Sequence, residues 1–225
     1  DFGDFHSALS WSPDGGKIAY SKYHHGEDQS MVYDIKYYDS AQSKDRWLTK
    51  SMRATYPVWL DSVTIAFVAH HNNVSNIYSV TLDGGAPKSI TNYTDNTQIA
   101  FLSVSSNLDQ LTFSMSPENG NMDIYTMDIQ SGSINRLTND PMAETRPVWH
   151  PSGKHISYTS NSNGVPNIHT IDLSNNNITV NTDAGDGIWT HQWMPKDSGI
   201  VSVTLNSVKD SVRVVKVDPF RVPDT

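Results

Sequence analysis

Short apolar runs that alternate with polar residues recur along this chain at nearly constant spacing. Ile18-Ala-Tyr20, Ile65-Ala-Phe67, Leu111-Thr-Phe113, Ile156-Ser-Tyr158 and Val201-Ser-Val203 each have the period of two of a half-buried strand. An aromatic or apolar anchor and a turn precede every run: Trp11 to Gly15, Trp59 to Ser62, Val104 to Asp109, Trp149 to Gly153 and Trp193 to Gly199. The anchors fall 48, 45, 45 and 44 residues apart. A third run follows as Met31 to Ile35, Asn76 to Val80, Asp123 to Met127, Asn167 to Ile171 and Val212 to Val217. A shorter fourth element closes most units, as Trp47-Leu-Thr49, Ser89-Ile-Thr91, Arg136-Leu-Thr138 and, more loosely, Ile178-Thr-Val180. Turn pairs such as Asp14-Gly15, Ser131-Gly132 and Asn163-Gly164 punctuate the runs, and no stretch of ten residues carries a helical stripe.

Four-strand units of this length, one after another, predict an all-β protein, a β-propeller of about five four-stranded blades. The blades are expected near 8–50, 56–95, 101–142, 146–185 and 190–222 of a single domain over 1–225. Recurrence at the repeat period assigns Trp11, Trp59, Trp149 and Trp193 to packing between blades. The fifth unit lacks a Leu-Thr closer, and Asp1 to Ser7 makes a poor replacement strand. Both a compact five-bladed ring and five consecutive blades of a six- to eight-bladed one fit, and the missing closure favours the second.

Pro57-Val-Trp59, Arg146-Pro-Val-Trp149-His-Pro-Ser-Gly153, Ser10 to Gly15, the Asn/Asp-Ile-Tyr triplets and the Leu-Thr closers together resemble the WD40-like repeats of TolB-type propellers. Similar repeats occur in the propellers of prolyl-oligopeptidase-like peptidases and of the tricorn protease. The resemblance runs from about Ala8 to Val217. It implies a noncatalytic binding platform of the periplasm or cell envelope, because the family's namesake binds a peptidoglycan-associated lipoprotein through its propeller. That namesake also carries an N-terminal α/β domain with no counterpart in these residues.

In an antiparallel meander, the turn between strands two and three lies at the same end of a blade as the connection to the next blade. Loops on such a face are where propellers concentrate function. The second hairpins carry His24 and His25 in the first unit and His70 and His71 in the second. The connections between blades are expected to carry His6, Arg53, Glu144 with Arg146, and Trp189 with His191. Six of the nine histidines thus map to one face. Such a set can hold a divalent metal or grip an acidic group, although paired histidines equally fit a solvated loop, and no His-Glu-x-x-His or Asp-rich calcium spacing is present. Trp189 breaks the repeat register and can stack on a sugar or a partner side chain.

Composition narrows the chemistry further. Sixteen basic against 24 acidic residues give a formal charge of −8, which disfavours nucleic acid as a partner. There is no cysteine, hence no disulfide, thiolate site or cysteine nucleophile. Ser, Thr and Asn supply 64 residues while charged residues make up only 18%, a composition more common in secreted or periplasmic chains than in cytosolic enzymes. No apolar run approaches the roughly 20 residues of a membrane helix. The first residue is Asp1 rather than Met, which points to processing or excision from a longer chain. Neither a Gly-x-Ser-x-Gly elbow nor a phosphate-binding loop occurs, so no catalytic residue and no cofactor are expected. The expected partner is a protein, either an envelope lipoprotein or other domains of a longer parent chain. Two enzymatic readings stand beside it: a substrate-gating propeller of a peptidase whose catalytic domain lies elsewhere, and a propeller-type polysaccharide lyase.

Overall fold

The structure, a computed structural model, describes residues 9–27, 29–118, 120–194, 199–205 and 210–215. All regular structure among them is β, in antiparallel meanders of consecutive strands. The first sheet holds β1 (Ser10–Trp11), β2 (Lys17–His25), β3 (Met31–Asp39) and β4 (Lys44–Trp47). The second holds β5 (Ala54–Trp59), β6 (Thr64–His71), β7 (Val74–Thr81) and β8 (Lys88–Ser89). In the third are β9 (Gln98–Val104), β10 (Gln110–Ser116), β11 (Asp123–Asp128) and β12 (Ile134–Arg136). The fourth has β13 (Glu144–Trp149), β14 (His155–Ser160), β15 (Asn167–Asp172) and β16 (Ile178–Val180). The fifth has three strands among the described residues: β17 (Ile188–Trp193), β18 (Ile200–Leu205) and β19 (Asp210–Val215). Among the described residues no helix is long and apolar enough to cross a membrane.

The chain folds as two compact units, one of residues 1–102 with 116–119 and the other of residues 103–115 with 120–225. In both units neighbouring sheets pack in one manner. The isoleucine of the Asn/Asp-Ile triplet on one sheet lies against the Trp anchor and the second-strand isoleucine of the next. In the first unit Ile35 and Ala19 cluster with Trp59, Ile65, Phe67 and Val80. In the second, Ile124 clusters with Trp149, Ile156, Tyr158 and Ile171, and Ile168 with Trp193 and Ile200. The Trp59 indole N–H also donates to the Ser10 carbonyl at 2.9 Å. An aromatic ring fills the space between two twisted sheets with a large apolar area.

The closers have a physical role that explains their recurrence. The backbone N–H of Ile35 donates to Thr49 Oγ1 at 2.8 Å, and that hydroxyl donates to buried Asp34 Oδ1 at 2.7 Å. Ile77 with Thr91 and Asn76, and Ile168 with Thr182 and Asn167, repeat the relay. Ile124 donates to Thr138 in the same way. Each relay satisfies an N–H beyond the short fourth strand, where the ladder has ended. In the fourth sheet the working threonine is Thr182, not Thr179 of the run expected from the sequence. Asn181 stands where the other units have Leu48, Ile90 or Leu137, and this hides the landmark.

Candidate functional site

First strands are longer than the sequence suggests. Glu144 and Arg146 lie within β13, and Trp189 and His191 within β17, rather than in connections between sheets. The extended chain begins five residues before Trp59, Trp149 and Trp193 and accommodates an irregularity there. Register shifts fall between Thr55 and Val58 in β5, Thr145 and Val148 in β13, and Ile188 and Thr190 in β17. Pro57 and Pro147 sit inside two of them, since a residue without an N–H is tolerated where the ladder is interrupted.

At these irregularities the backbone is strained. Tyr56 (φ 53°) and Arg146 (φ 55°) each precede a proline, and Phe101 (φ 59°), three residues before its anchor Val104, shares the conformation. Positive φ in bulky residues costs on the order of 1–3 kcal/mol and concentrates at functional positions. In the first unit the Tyr56 and Phe101 rings meet with centroids 4.8 Å apart. In the second the Arg146 guanidinium lies 5.9 Å from the centre of the exposed Trp189 ring. Two of these four, Arg146 and Trp189, are sequence candidates. Tyr56 and Phe101 are not, and the signal that could have revealed Tyr56 is its place before Pro57, matching Arg146 before Pro147.

Behind Arg146 and Trp189 the histidine is structural. Ser157 Oγ accepts from Trp193 Nε1 at 2.8 Å and lies 2.7 Å from His191 Nε2. Burial, with Arg146 adding a smaller push, lowers His191 to about 4, so the ring is neutral. Glu144 is buried as well, and burial, reinforced by Asp140 and Asp123, raises its carboxyl to about 7. A raised carboxyl stabilises the fold fully below its unfolded value near 4.5 and loses that contribution as pH climbs through 7. Glu144→Gln therefore gains on the parent by about 3 kcal/mol between pH 4 and pH 9, at 1.36 kcal/mol per unit. Urea unfolding of both proteins across that range checks it, and parallel curves contradict it.

The remaining histidines are dispersed. His24 Nε2 bonds to Asp34 Oδ2 at 2.8 Å and its ring lies 4.2 Å from that of Trp47. His70 Nδ1 meets Ser75 Oγ at 2.8 Å, and burial, then the Arg53 charge, pushes it down. His25 and His71 are exposed at their hairpins, and Arg53 is exposed with φ 53°. His6 lies outside the described residues. Among the described residues no three His, Asp or Glu side chains converge as metal ligands.

Second hairpins do meet the connections that follow their sheets. Glu27 N–H donates to Ser51 Oγ at 2.7 Å and Glu27 pairs with Lys50 at 2.8 Å. Ser75 N–H reaches the Thr97 carbonyl at 2.8 Å. In the second unit the Glu144 N–H bonds the Met122 carbonyl, and the Ile188 N–H the Pro166 carbonyl, both at 2.7 Å. Gly187, at φ 78°, allows the last of these, because a Cβ there would stand 3.2 Å from Pro166 Cδ.

Successive antiparallel meanders of one repeat length, packed Ile against Trp, define a β-propeller. The chain belongs to the TolB beta propeller domain family, whose profile matches residues 27–221. It is similar to TolB from Acinetobacter baumannii, at 26% identity and a TM-score of 0.73, over 89% of this chain and 49% of that one. An oligogalacturonate lyase solved in complex with manganese shares the fold, at 11% identity and a TM-score of 0.73, over 96% of this chain and 66% of that one. An uncharacterized protein of Agrobacterium fabrum is 29% identical over 85 residues, 38% of this chain and 29% of its own length. The chain thus spans about half of the TolB structure and under a third of the Agrobacterium protein.

Proposed function

We propose that this propeller is a noncatalytic platform that binds a protein partner in the bacterial envelope, with Arg146 and Trp189 of the second unit as its contact residues. The observation that carries the reading is the strained first strand β13, which holds an arginine on a tryptophan of β17. Tyr, Trp and Arg are the residues that dominate binding energy at protein interfaces, because they offer large rigid contact area with a polar end. Membership of the TolB propeller family supports an extracytoplasmic setting and a protein ligand. A peptidoglycan-associated lipoprotein or another envelope protein fits that chemistry.

Affinity capture from an envelope extract tests the proposal, with purification of what binds. The chain is expected to retain one protein at stoichiometric level and to release no unsaturated product from acidic polysaccharides. Turnover by the isolated chain, followed near 235 nm or with peptide substrates, together with no retained protein, overturns it. Arg146→Ala with Trp189→Ala is expected to weaken capture by at least about 30-fold, the loss typical of a hot-spot pair, while leaving the circular dichroism spectrum unchanged.

A further inference from the structure

Three Trp anchors are buried, and two of them have a partner for the indole N–H. Trp59 donates to the Ser10 carbonyl at 2.9 Å and Trp193 to Ser157 Oγ at 2.8 Å. Trp149, 7% exposed, has no acceptor for its buried N–H among the described residues. A cleft of about 300 Å³ opens over this ring, within the second unit. Ser105, Ser106, Asn107 and Asp109 of the turn between β9 and β10 form one wall, and Ser152 and Gly153 of the turn between β13 and β14 form the other. The two turns come close at Ser106, whose Oγ would stand 3.7 Å from a Cβ on Gly153.

The repeat explains the opening. The N–H of Ser105 bonds the Gln110 carbonyl as that of His150 bonds the His155 carbonyl, both at 2.9 Å, so the two residues hold one position in successive sheets. His150 sets its ring edge-on against Trp193, with centroids 4.5 Å apart. Serine at the same position is too small to cover Trp149 in that way. The walls are rich in hydrogen-bonding groups yet carry a single charge. Asp109 accepts from Ser105 Oγ through Oδ1 at 2.8 Å and from Asn107 Nδ2 through Oδ2 at 2.6 Å, which spreads that charge and leaves lone pairs on both oxygens. None of the lining residues is cationic, so an anion finds no counter-charge. An indole ringed by hydroxyls, an amide and a carboxylate matches a ligand with a C–H face and a rim of hydroxyl groups, which is the chemistry of a pyranose sugar. The size agrees, since small-molecule sites begin at about 300 Å³.

We propose that this cleft is a further binding site, which seats one uncharged pyranose unit on Trp149 with its hydroxyls on Asp109, Asn107 and Ser106. A sugar oxygen that reaches the edge of the ring supplies the acceptor that the indole lacks, and a buried donor left unmade is costly. The cleft shares no lining residue with Arg146 and Trp189, and the inference goes beyond the protein-binding role.

The test titrates the full chain, labelled with fluorotryptophan, with the methyl pyranosides of glucose, galactose and mannose and with N-acetylglucosamine. Trp149→Phe and Trp189→Phe assign the two resonances. At least one sugar is expected to shift the Trp149 resonance with a dissociation constant on the order of 1 mM, the level that ligand efficiency sets for a molecule of this size. Ser106 is exposed, and Ser106→Phe, which fills the mouth of the cleft, is expected to weaken that binding at least about tenfold with an unchanged circular dichroism spectrum. Arg146→Ala with Trp189→Ala is expected to leave it within about twofold, as independent sites do. No shift of Trp149 by any of these sugars at about 50 mM overturns the proposal, and so does binding that Ser106→Phe leaves intact. A shift of Trp189 alone puts the sugar elsewhere and overturns it as well. Choline is titrated in parallel, and if it shifts Trp149 where no sugar does, the ring and Asp109 form a cation site and the proposal fails.

Discussion

Replacing Trp59 with alanine is expected to destabilise the first unit by about 3–5 kcal/mol, the range for truncating a fully buried aromatic side chain. The ring is 1% exposed and packs on Ile35 and Ala19 of the preceding sheet, and its N–H holds the Ser10 carbonyl. Truncation opens a cavity between two sheets that share no covalent staple, and it leaves a carbonyl without its donor. Urea unfolding followed by circular dichroism measures the loss. A loss under about 1 kcal/mol, the level expected of a surface site, contradicts the packing described. Trp11→Ala serves as the contrast, since the same residue type at the equivalent register is open to solvent.

Asp34→Ala is expected to cost as much, about 3–5 kcal/mol, for an electrostatic reason. The buried carboxylate accepts from Thr49 Oγ1 at 2.7 Å, from the N–H groups of Ser51 and Met52 at 2.7 and 3.0 Å, and meets His24 Nε2 at 2.8 Å. Alanine strands these donors, two of them backbone groups that fix the connection to the second sheet. Asp34→Asn should cost far less. Asn76 and Asn167 do the same work with one oxygen, each accepting a threonine hydroxyl and a backbone N–H. If the asparagine variant proves as damaging as the alanine one, the relay is not what holds the connection.

The repeat is legible in the sequence because its parts are local. Anchor, turn, alternating run and closer each leave a mark within ten residues, and the period joins them. The turn glycines bear this out at Gly15 and Gly164, with φ of 69° and 82°. The extent of the first strands is not legible, since a proline reads as the end of a strand unless a bulge is known to receive it. For the same reason the sequence puts Glu144 and Arg146 in a connection, and it marks Tyr56 only by its place before Pro57. It also overstates the histidines. Proximity along the chain places them on hairpins, but the partners that absorb His24, His70 and His191 are Asp34, Ser75 and Ser157, set by strand register rather than by spacing. Trp11 shows the converse, because an anchor of the same residue type as three buried ones is exposed.

The most direct measurement is an equilibrium titration of the captured envelope protein against three forms of the chain: the parent, Arg146→Ala with Trp189→Ala, and His25→Ala with His71→Ala. If the strained first strands make the contact, the arginine–tryptophan variant loses at least about 30-fold in affinity and the histidine variant stays within about twofold, as exposed rim residues do. Undiminished binding by the first variant, or a larger loss in the second, contradicts it.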